Sequence, residues 1–241
     1  MKLCLVDLLY PFKNWDNIEV QRMYTKLISL KLNGFRYSYE NVLPMDKYDL
    51  IADHVIVCEE TPFGLRPLSS YKILTKERVA EFNLNLPCIT LINSLEPSQN
   101  SMLALDYMEN FINKHNTLYT SSWTTHPNFR GRSEAANKVR ELLLVTLYSY
   151  MTSYNIPTAI IIGMLELKTD QLFQKVGYQK AKVNGKELGH FLNPYFANQN
   201  ALALYLTKFS EFYLRVVSKN KEFIEERYII GEQLETEKKA A

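Results

Sequence analysis

The sequence predicts an α/β domain, a mixed sheet with helices on both of its faces. Two stretches carry that prediction. A β-favouring run, 117–125, leads through a tight loop into a long amphipathic helix, about 137–154, and then into Thr158 to Met164, a short β-branched run with the composition of a buried strand. Ahead of these, residues 51–58 and 65–74 are strand-like and flank Glu59-Glu60-Thr61-Pro62-Phe63-Gly64, whose turn chemistry makes 51–74 a hairpin. Composition agrees: 241 residues, 46% hydrophobic and 22% charged, can bury a sizeable core and are not the makings of a disordered chain.

The remaining elements follow in order. Residues 3–12 are a short apolar segment. Asn14 or Asp16 caps a helix to about Leu32, with Ile18, Met23, Leu27 and Leu30 on one stripe and Asn33-Gly34 as its stop. Residues 76–97 resist assignment; Pro87 and Pro97 bracket the apolar run from Cys88 to Leu95. Ser98 caps a helix from about Gln99 to Lys114. Beyond the Thr158 strand, a short helix from Asp170 to Val176 ends at Gly177, and Asn184-Gly185 marks a two-residue hairpin within 178–192. Leu202, Leu206, Phe209, Phe212, Tyr213, Val216 and Phe223 suggest a C-terminal helix over about 199–228. Its apolar stripe would pack on its own domain or across a homodimer. The charged tail from Gly231 is expected to fray.

Composition also bounds function. A formal charge of +2 gives no global signature of a nucleic-acid binder. No apolar run approaches the roughly 20 residues of a membrane-spanning helix, and the N-terminus lacks a secretory pattern, so a cytoplasmic protein is expected. Cys4, Cys58 and Cys88 sit singly in apolar runs and read as buried thiols; no His, Cys, Asp and Glu cluster has metal spacing, and no cofactor metal is expected. Sixteen tyrosines and 12 phenylalanines suggest an aromatic core or an apolar ligand channel.

The loop His126-Pro127-Asn128-Phe129-Arg130-Gly131-Arg132-Ser133-Glu134-Ala135 joins a strand to a helix N-terminus. There the backbone N–H groups lack intrahelical partners and the dipole favours an anion. Arg130 and Arg132 add cations. Arg130 to Ala135 resembles the R/Q-x-x-G-x-G/A signature of the GNAT acyltransferase superfamily, with Ser133 where that family usually has glycine. Leu172-Phe173-Gln174-Lys175-Val176-Gly177-Tyr178 resembles the segment after its fifth strand. Met45-Asp46-Lys47-Tyr48-Asp49 and Gly64-Leu65-Arg66-Pro67-Leu68 resemble segments of the acyl-homoserine-lactone synthases and related N-acyl amino acid synthases.

That resemblance implies a GNAT-like, mostly antiparallel sheet flanked by helices, with an N-terminal helical segment (1–34), an acyltransferase domain (35–195) and an extra C-terminal helix and tail (196–241). It implies N-acyl transfer from acyl-CoA, or from the phosphopantetheine of an acyl-carrier protein, to a small amine such as an amino acid, and with it the aromatic and aliphatic abundance weakly favours a long acyl chain over acetyl. The donor would be held by Thr125, Arg130, Gly131, Arg132, Ser133, Glu134 and Ala135. Asp46, Asp49, Arg66 and Trp123 would contact substrate, although the three charged residues could equally form a local salt-bridge cluster. A carrier protein, being acidic, would dock on Arg130, Arg132, Lys138 and Arg140, unless these are an ordinary solvated helix start. The base is open: Glu166 just past the fifth strand, or His126 with its ordinary pKa of about 6.5.

The departures matter as much. Where lactone synthases carry a glutamate and an arginine on the fourth strand, this sequence has Tyr119 and Ser122, and Phe173 replaces the tyrosine that protonates the leaving thiolate in many acetyltransferases. Lactone formation is therefore not implied. Two alternatives stand beside the main reading: a coenzyme A-dependent acetyltransferase of a peptide or small amine, and a degenerate GNAT fold used for binding.

Overall fold

The computed structural model describes residues 1–38, 45–183, 185–193 and 199–231. Its elements are β1 (Lys2–Leu8), α1 (Ile18–Ser38), β2 (Asp53–Thr61), β3 (Gly64–Thr75), α2 (Lys76–Ala80), α3 (Pro87–Asn93), α4 (Gln99–Lys114), β4 (Thr117–Thr125), α5 (Glu134–Ser153), β5 (Thr158–Met164) and α6 (Thr169–Val176). They continue with β6 (Gln179–Lys180), β7 (Lys182–Val183), β8 (Lys186–Glu187), β9 (Phe191–Asn193), β10 (Gln199–Leu206), α7 (Glu211–Lys219), α8 (Lys221–Glu225) and β11 (Tyr228–Ile230). The main sheet runs β11-β1-β2-β3-β4-β5-β10-β6, with β9 also on β10. Among the described residues, only β1 with β11 and β4 with β5 pair in parallel within it.

Alternation along the strands divides the core. Val55 and Val57 of β2, Tyr71 and Ile73 of β3 and Ile161 of β5 meet α5, α6 and α7 through Leu142, Leu143, Phe173 and Tyr213. Leu74, Tyr119 and Ile160 join the cluster of α3 and α4. Ile56 and Cys58 pack on α1 with Cys4, Val6, Val20 and Leu27. All three cysteines are buried free thiols.

Three sequence expectations change. Residues 199–228 are not one helix: 199–206 form β10, paired along β5 from Ala201↔Met164 to Leu206↔Ala159. Leu202 and Leu206 are four apart, a spacing that satisfies a period of 3.6 and a period of two alike. The intervening Leu204 on the same face decides for strand. Helix resumes only after Ser210, whose hydroxyl accepts the Tyr213 N–H at 3.1 Å. Segment 1–34 is not helical throughout, because Lys2–Leu8 is a sheet strand paired with β2. Helix α1 also runs past its expected stop: Gly34 stays helical because α1 crosses β4 there, and a Cβ would lie 2.1 Å from Thr124 Oγ1.

Where composition gave no assignment, α2 is capped by Thr75 and α3 starts with Pro87 in its first turn. The two-residue hairpin joins β7 to β8 through Lys182↔Glu187 and Val183↔Lys186; Gly185 takes the positive φ of +78°, and Asn184 lies outside the described residues, as does the tail 232–241.

Candidate active site

Parallel strands β4 and β5 pair only at Thr117↔Thr158, Leu118↔Ala159 and Tyr119↔Ile160. Beyond that, Thr120–Thr125 and Ile161–Met164 share no register, and the strands diverge. On its other side β4 pairs with β3, but with a bulge: Lys72↔Ser121 and Ser70↔Thr124 leave Ser122 and Trp123 opposite Tyr71 alone. Ser122 sits at φ +56°, in the left-handed region. The extra residue reverses the alternation, so Trp123 faces α5 and α6. Its ring stacks on Tyr71 (4.1 Å, 9°) and meets Phe173 edge-on (4.9 Å, 71°).

A cavity of about 330 Å³ opens at this divergence. Its deep wall is Trp123, Thr124, Leu143 and Phe173, the last two 4% and 2% exposed. Gly34 and Phe35 of α1 and Leu167, Thr169 and Leu172 before and on α6 close its sides, and Thr125, Phe129, Arg130, Gly131 and Arg140 line it toward the start of α5. Among the described residues, its only charged lining groups are Arg130 and Arg140.

The loop between β4 and α5 is built by local hydrogen bonds. His126 Nδ1 accepts the Asn128 N–H at 3.3 Å and starts a 3₁₀ turn over Pro127–Phe129. Gly131, at φ +105°, reverses the chain. Ser133 caps α5, its hydroxyl accepting the Ala136 N–H at 3.2 Å, and the first helical bond runs from Asn137 N–H to Ser133 O. This leaves the N–H groups of Glu134 and Ala135 at the helix start without an intrahelical acceptor. Ser133 thus completes the helix cap.

Of the residues singled out in the sequence, Trp123, Thr125, Arg130 and Gly131 line the cavity, and Arg132, Ser133, Glu134 and Ala135 are the adjoining exposed or half-exposed helix start. Arg130 turns inward. Its Nε donates to Thr125 O (2.9 Å), an NH2 donates to Gly34 O (2.5 Å), and the guanidinium lies 5.0 Å from the Tyr37 ring centre. Arg140 donates to Gly131 O at 2.8 Å, and Lys138 reaches Asn220 and the Phe223 ring. Three of the four basic residues read as a docking face are therefore engaged within the fold.

Both candidate bases lie outside the cavity lining. Glu166 is exposed and accepts both the backbone N–H and the side-chain amide of Asn200 at 2.9 Å, which hold its carboxyl below the usual range. Partial burial, with Arg66 and Arg130 nearby, lowers the His126 pKa.

The Asp46, Asp49 and Arg66 set divides. Arg66 pairs with Glu59 across the hairpin, with 55% of its side chain exposed. Asp49 is buried against Lys31, 3.6 Å from Lys72 Nζ, and accepts the Asp46 N–H at 2.7 Å. Burial would push its carboxyl up, but Lys31 and Lys72 together hold it well below the usual range. Asp46 grips Lys72 Nζ at 2.5 and 2.6 Å while its side chain stays 48% exposed. His54, its Nε2 at 2.7 Å from Asp49 O, is driven to a pKa of about 3 by burial and then by Lys31, so it is neutral. The salt-bridge cluster is real, but its cations are Lys31 and Lys72, not Arg66. Neither lysine stands in a motif; the signal each leaves in the sequence is a lysine inside an apolar run, Leu30-Lys31-Leu32 and Tyr71-Lys72-Ile73. Gly34, expected as a helix stop, is instead part of the α1 wall of the cavity.

Among the described residues no three His, Cys, Asp or Glu side chains form a group able to hold a metal, and no helix is long and apolar enough to cross a membrane.

No protein-family model matches the sequence, and comparison with curated proteins finds no match. Solved structures do match. BjaI, a CoA-dependent acyl-homoserine lactone synthase solved with SAM and isopentyl-CoA, gives a TM-score of 0.54 at 10% identity, over 97% of this chain and 96% of that one. MesI, another CoA-dependent acyl-homoserine lactone synthase, gives 0.51 at 9% identity, over 91% and 94%. FeeM, an N-acyl amino acid synthase from uncultured soil microbes, gives 0.48 at 14% identity, over 86% and 90%. The chain shares the fold of these lactone synthases, a GNAT-like, mostly antiparallel sheet flanked by helices.

Proposed function

We propose that this chain is a GNAT-type N-acyltransferase, moving an acyl group from an acyl thioester to a small amine such as an amino acid. The observation that carries the reading is the stretch of β4 left unpaired by β5, beside a cavity that ends at a capped helix start. An extended thioester arm fits alongside unpaired strand backbone, which offers alternating donors and acceptors. Its phosphates would meet the N–H groups of Glu134 and Ala135 at the positive end of α5. Backbone N–H groups near Trp123–Thr125 would polarise the thioester carbonyl as the tetrahedral intermediate forms.

The acceptor would arrive from the α1 face, where the exposed edge of Asp46 can take an ammonium group. Asp49 is then a structural partner of Lys31, and Arg66 of Glu59. Glu166 and His126 are assigned no base role, since neither lines the cavity; water would carry the proton from the amine. Coenzyme A suits the site better than a carrier protein, because Arg130, Lys138 and Arg140 already hold internal partners.

The test is direct. Purified protein is incubated with acyl-CoAs and a panel of amino acids and small amines; released thiol is followed by colour reagent and N-acyl product by mass spectrometry. Acyl-CoA-dependent product with at least one amine supports the reading. Acyl-CoA binding without product from any amine favours a binding role, and absence of binding defeats both.

A further inference from the structure

We infer that Arg130 is a positioning residue: it clasps the last turns of α1 to the donor loop, so that seating the donor's phosphates orders the α1 wall of the cavity. The inference rests on the thioester reading above and gives this arginine a part other than holding phosphate. Arg130 opens the signature whose resemblance implies a contact with the donor. In the structure its guanidinium bridges two elements instead. Nε donates to Thr125 O at the end of β4, Nη2 donates to Gly34 O in α1, and the group lies 5.0 Å from the Tyr37 ring centre, about one turn further along α1. The carbonyl end of a helix carries partial negative charge, which favours a cation there.

Glycine at the crossing makes this contact matter. Earlier in α1, Val20, Met23, Tyr24, Leu27 and Leu30 pack on β1 and β2. Where α1 passes over β4 it presents Gly34, which has no side chain to pack, and Arg130 Nη2 stands 3.3 Å from where a Cβ would be. That crossing also carries Gly34 and Phe35 into the cavity wall. About one turn earlier, Lys31 is buried against Asp49, whose other oxygen accepts the Asp46 N–H. α1 therefore touches the donor loop through Gly34 and the acceptor side through Lys31. On the loop side, the Arg130 N–H bonds Pro127 O at 3.1 Å and Arg140 holds Gly131 O, so the base of the clasp moves only with the loop. An exposed run, 131–134, joins it to the start of α5. A pyrophosphate on the N–H groups of Glu134 and Ala135 would fix that run, and with it the arginine. The ordering passes to α1 through Gly34 O, and by reciprocity an acceptor seated on the α1 face would favour the donor.

Hydrogen–deuterium exchange read by mass spectrometry, with and without coenzyme A, tests this on the wild type, Arg130→Met and Arg130→Lys, with calorimetry giving each affinity. In the wild type, coenzyme A should slow exchange over residues 31–38 as well as over 126–136. Arg130→Met should bind coenzyme A within a few-fold of the wild type and still protect 126–136, but leave 31–38 unprotected. Arg130→Lys, whose ammonium can reach one of the two carbonyls, should protect 31–38 in part, and it decides should the methionine variant not fold. A phosphate ligand would instead lose about tenfold or more in affinity on Arg130→Met. That loss, a wild type that binds coenzyme A without protecting 31–38, or a folded variant that protects 31–38 as fully as the wild type would overturn the clasp while leaving thioester binding standing. Failure of the wild type to bind coenzyme A would overturn both.

Discussion

Replacing Gly34 by alanine should destabilise the protein, although the same change in an exposed helix would stabilise it. In a helix interior alanine is favoured over glycine by about 1 kcal/mol. Against this, the new methyl carbon would stand 2.1 Å from Thr124 Oγ1, where ordinary contact begins at 3.4 Å, so one side must yield by about 1.3 Å (3.4 minus 2.1). Thr124 is only 4% exposed and its strand is tied to β3, so relief comes from an off-rotamer side chain or a shifted α1, at about 1–3 kcal/mol. The net expectation is a loss of up to about 2 kcal/mol. Thr124→Ala removes the obstructing oxygen, which has no hydrogen-bond partner among the described residues, and should be nearly neutral alone. In that background the remaining neighbours, Arg130 Nη2 at 3.3 Å and Thr125 O at 3.4 Å, are tolerable, and Gly34→Ala should gain about 1 kcal/mol. Urea unfolding of the four proteins by tryptophan fluorescence measures the cycle. Equal loss from Gly34→Ala in both backgrounds would refute the close approach of α1 to β4 as the reason for glycine.

Other expectations follow from the same geometry. Lys31→Met or Asp49→Asn alone should cost about 3–5 kcal/mol, because each strands a buried charge, while Lys31→Met with Asp49→Leu should recover most of it; denaturant midpoints that simply add would contradict the pairing. Asp7, 2% exposed, has its pKa raised by burial to about 6 against the opposing pull of Arg227. Its proton is therefore held more tightly in the folded state, and its contribution is largest below the unfolded value of about 3.8. About 3 kcal/mol is lost as pH rises through about 6. His54 acts in the opposite sense over the same range, so the measurement is the difference between wild type and Asp7→Asn across about pH 4 to 7, which should vanish if Asp7 is not perturbed. Ser133→Ala should lower stability by about 1 kcal/mol by uncapping α5, with Ser133→Asn restoring it.

The stretch from β4 through its loop to α5 was legible because each step has local chemistry: β-branched residues, a turn glycine and a capping serine. The direction of the Arg130 side chain was not, because its acceptors are Thr125 O nearby and Gly34 O, 96 residues away. That Trp123 lines a cavity was not legible either: its orientation depends on a bulge at Ser122, and serine gives no hint of a positive φ. β10 was misread because Leu202 and Leu206 alone satisfy two periods at once; Leu204 between them, on the same face, separates strand from helix. Asp46 and Asp49 were found as a motif, but the lysines that neutralise them come from α1 and β3, and charge pairing across elements leaves no spacing to read.

The pairing of β11 with β1 has a consequence for synthesis. Val6↔Tyr228 and the Asp7–Arg227 ion pair join residues more than two hundred positions apart. Until the ribosome has extruded Ile230, β1 has β2 on one side and lacks β11 on the other, so that strand edge stays open while the more than two hundred residues between them are made. Closing so long a loop comes late, and deuterium uptake at the Leu9 amide, bonded to Ile230 O at 2.8 Å, should report when that edge is sealed.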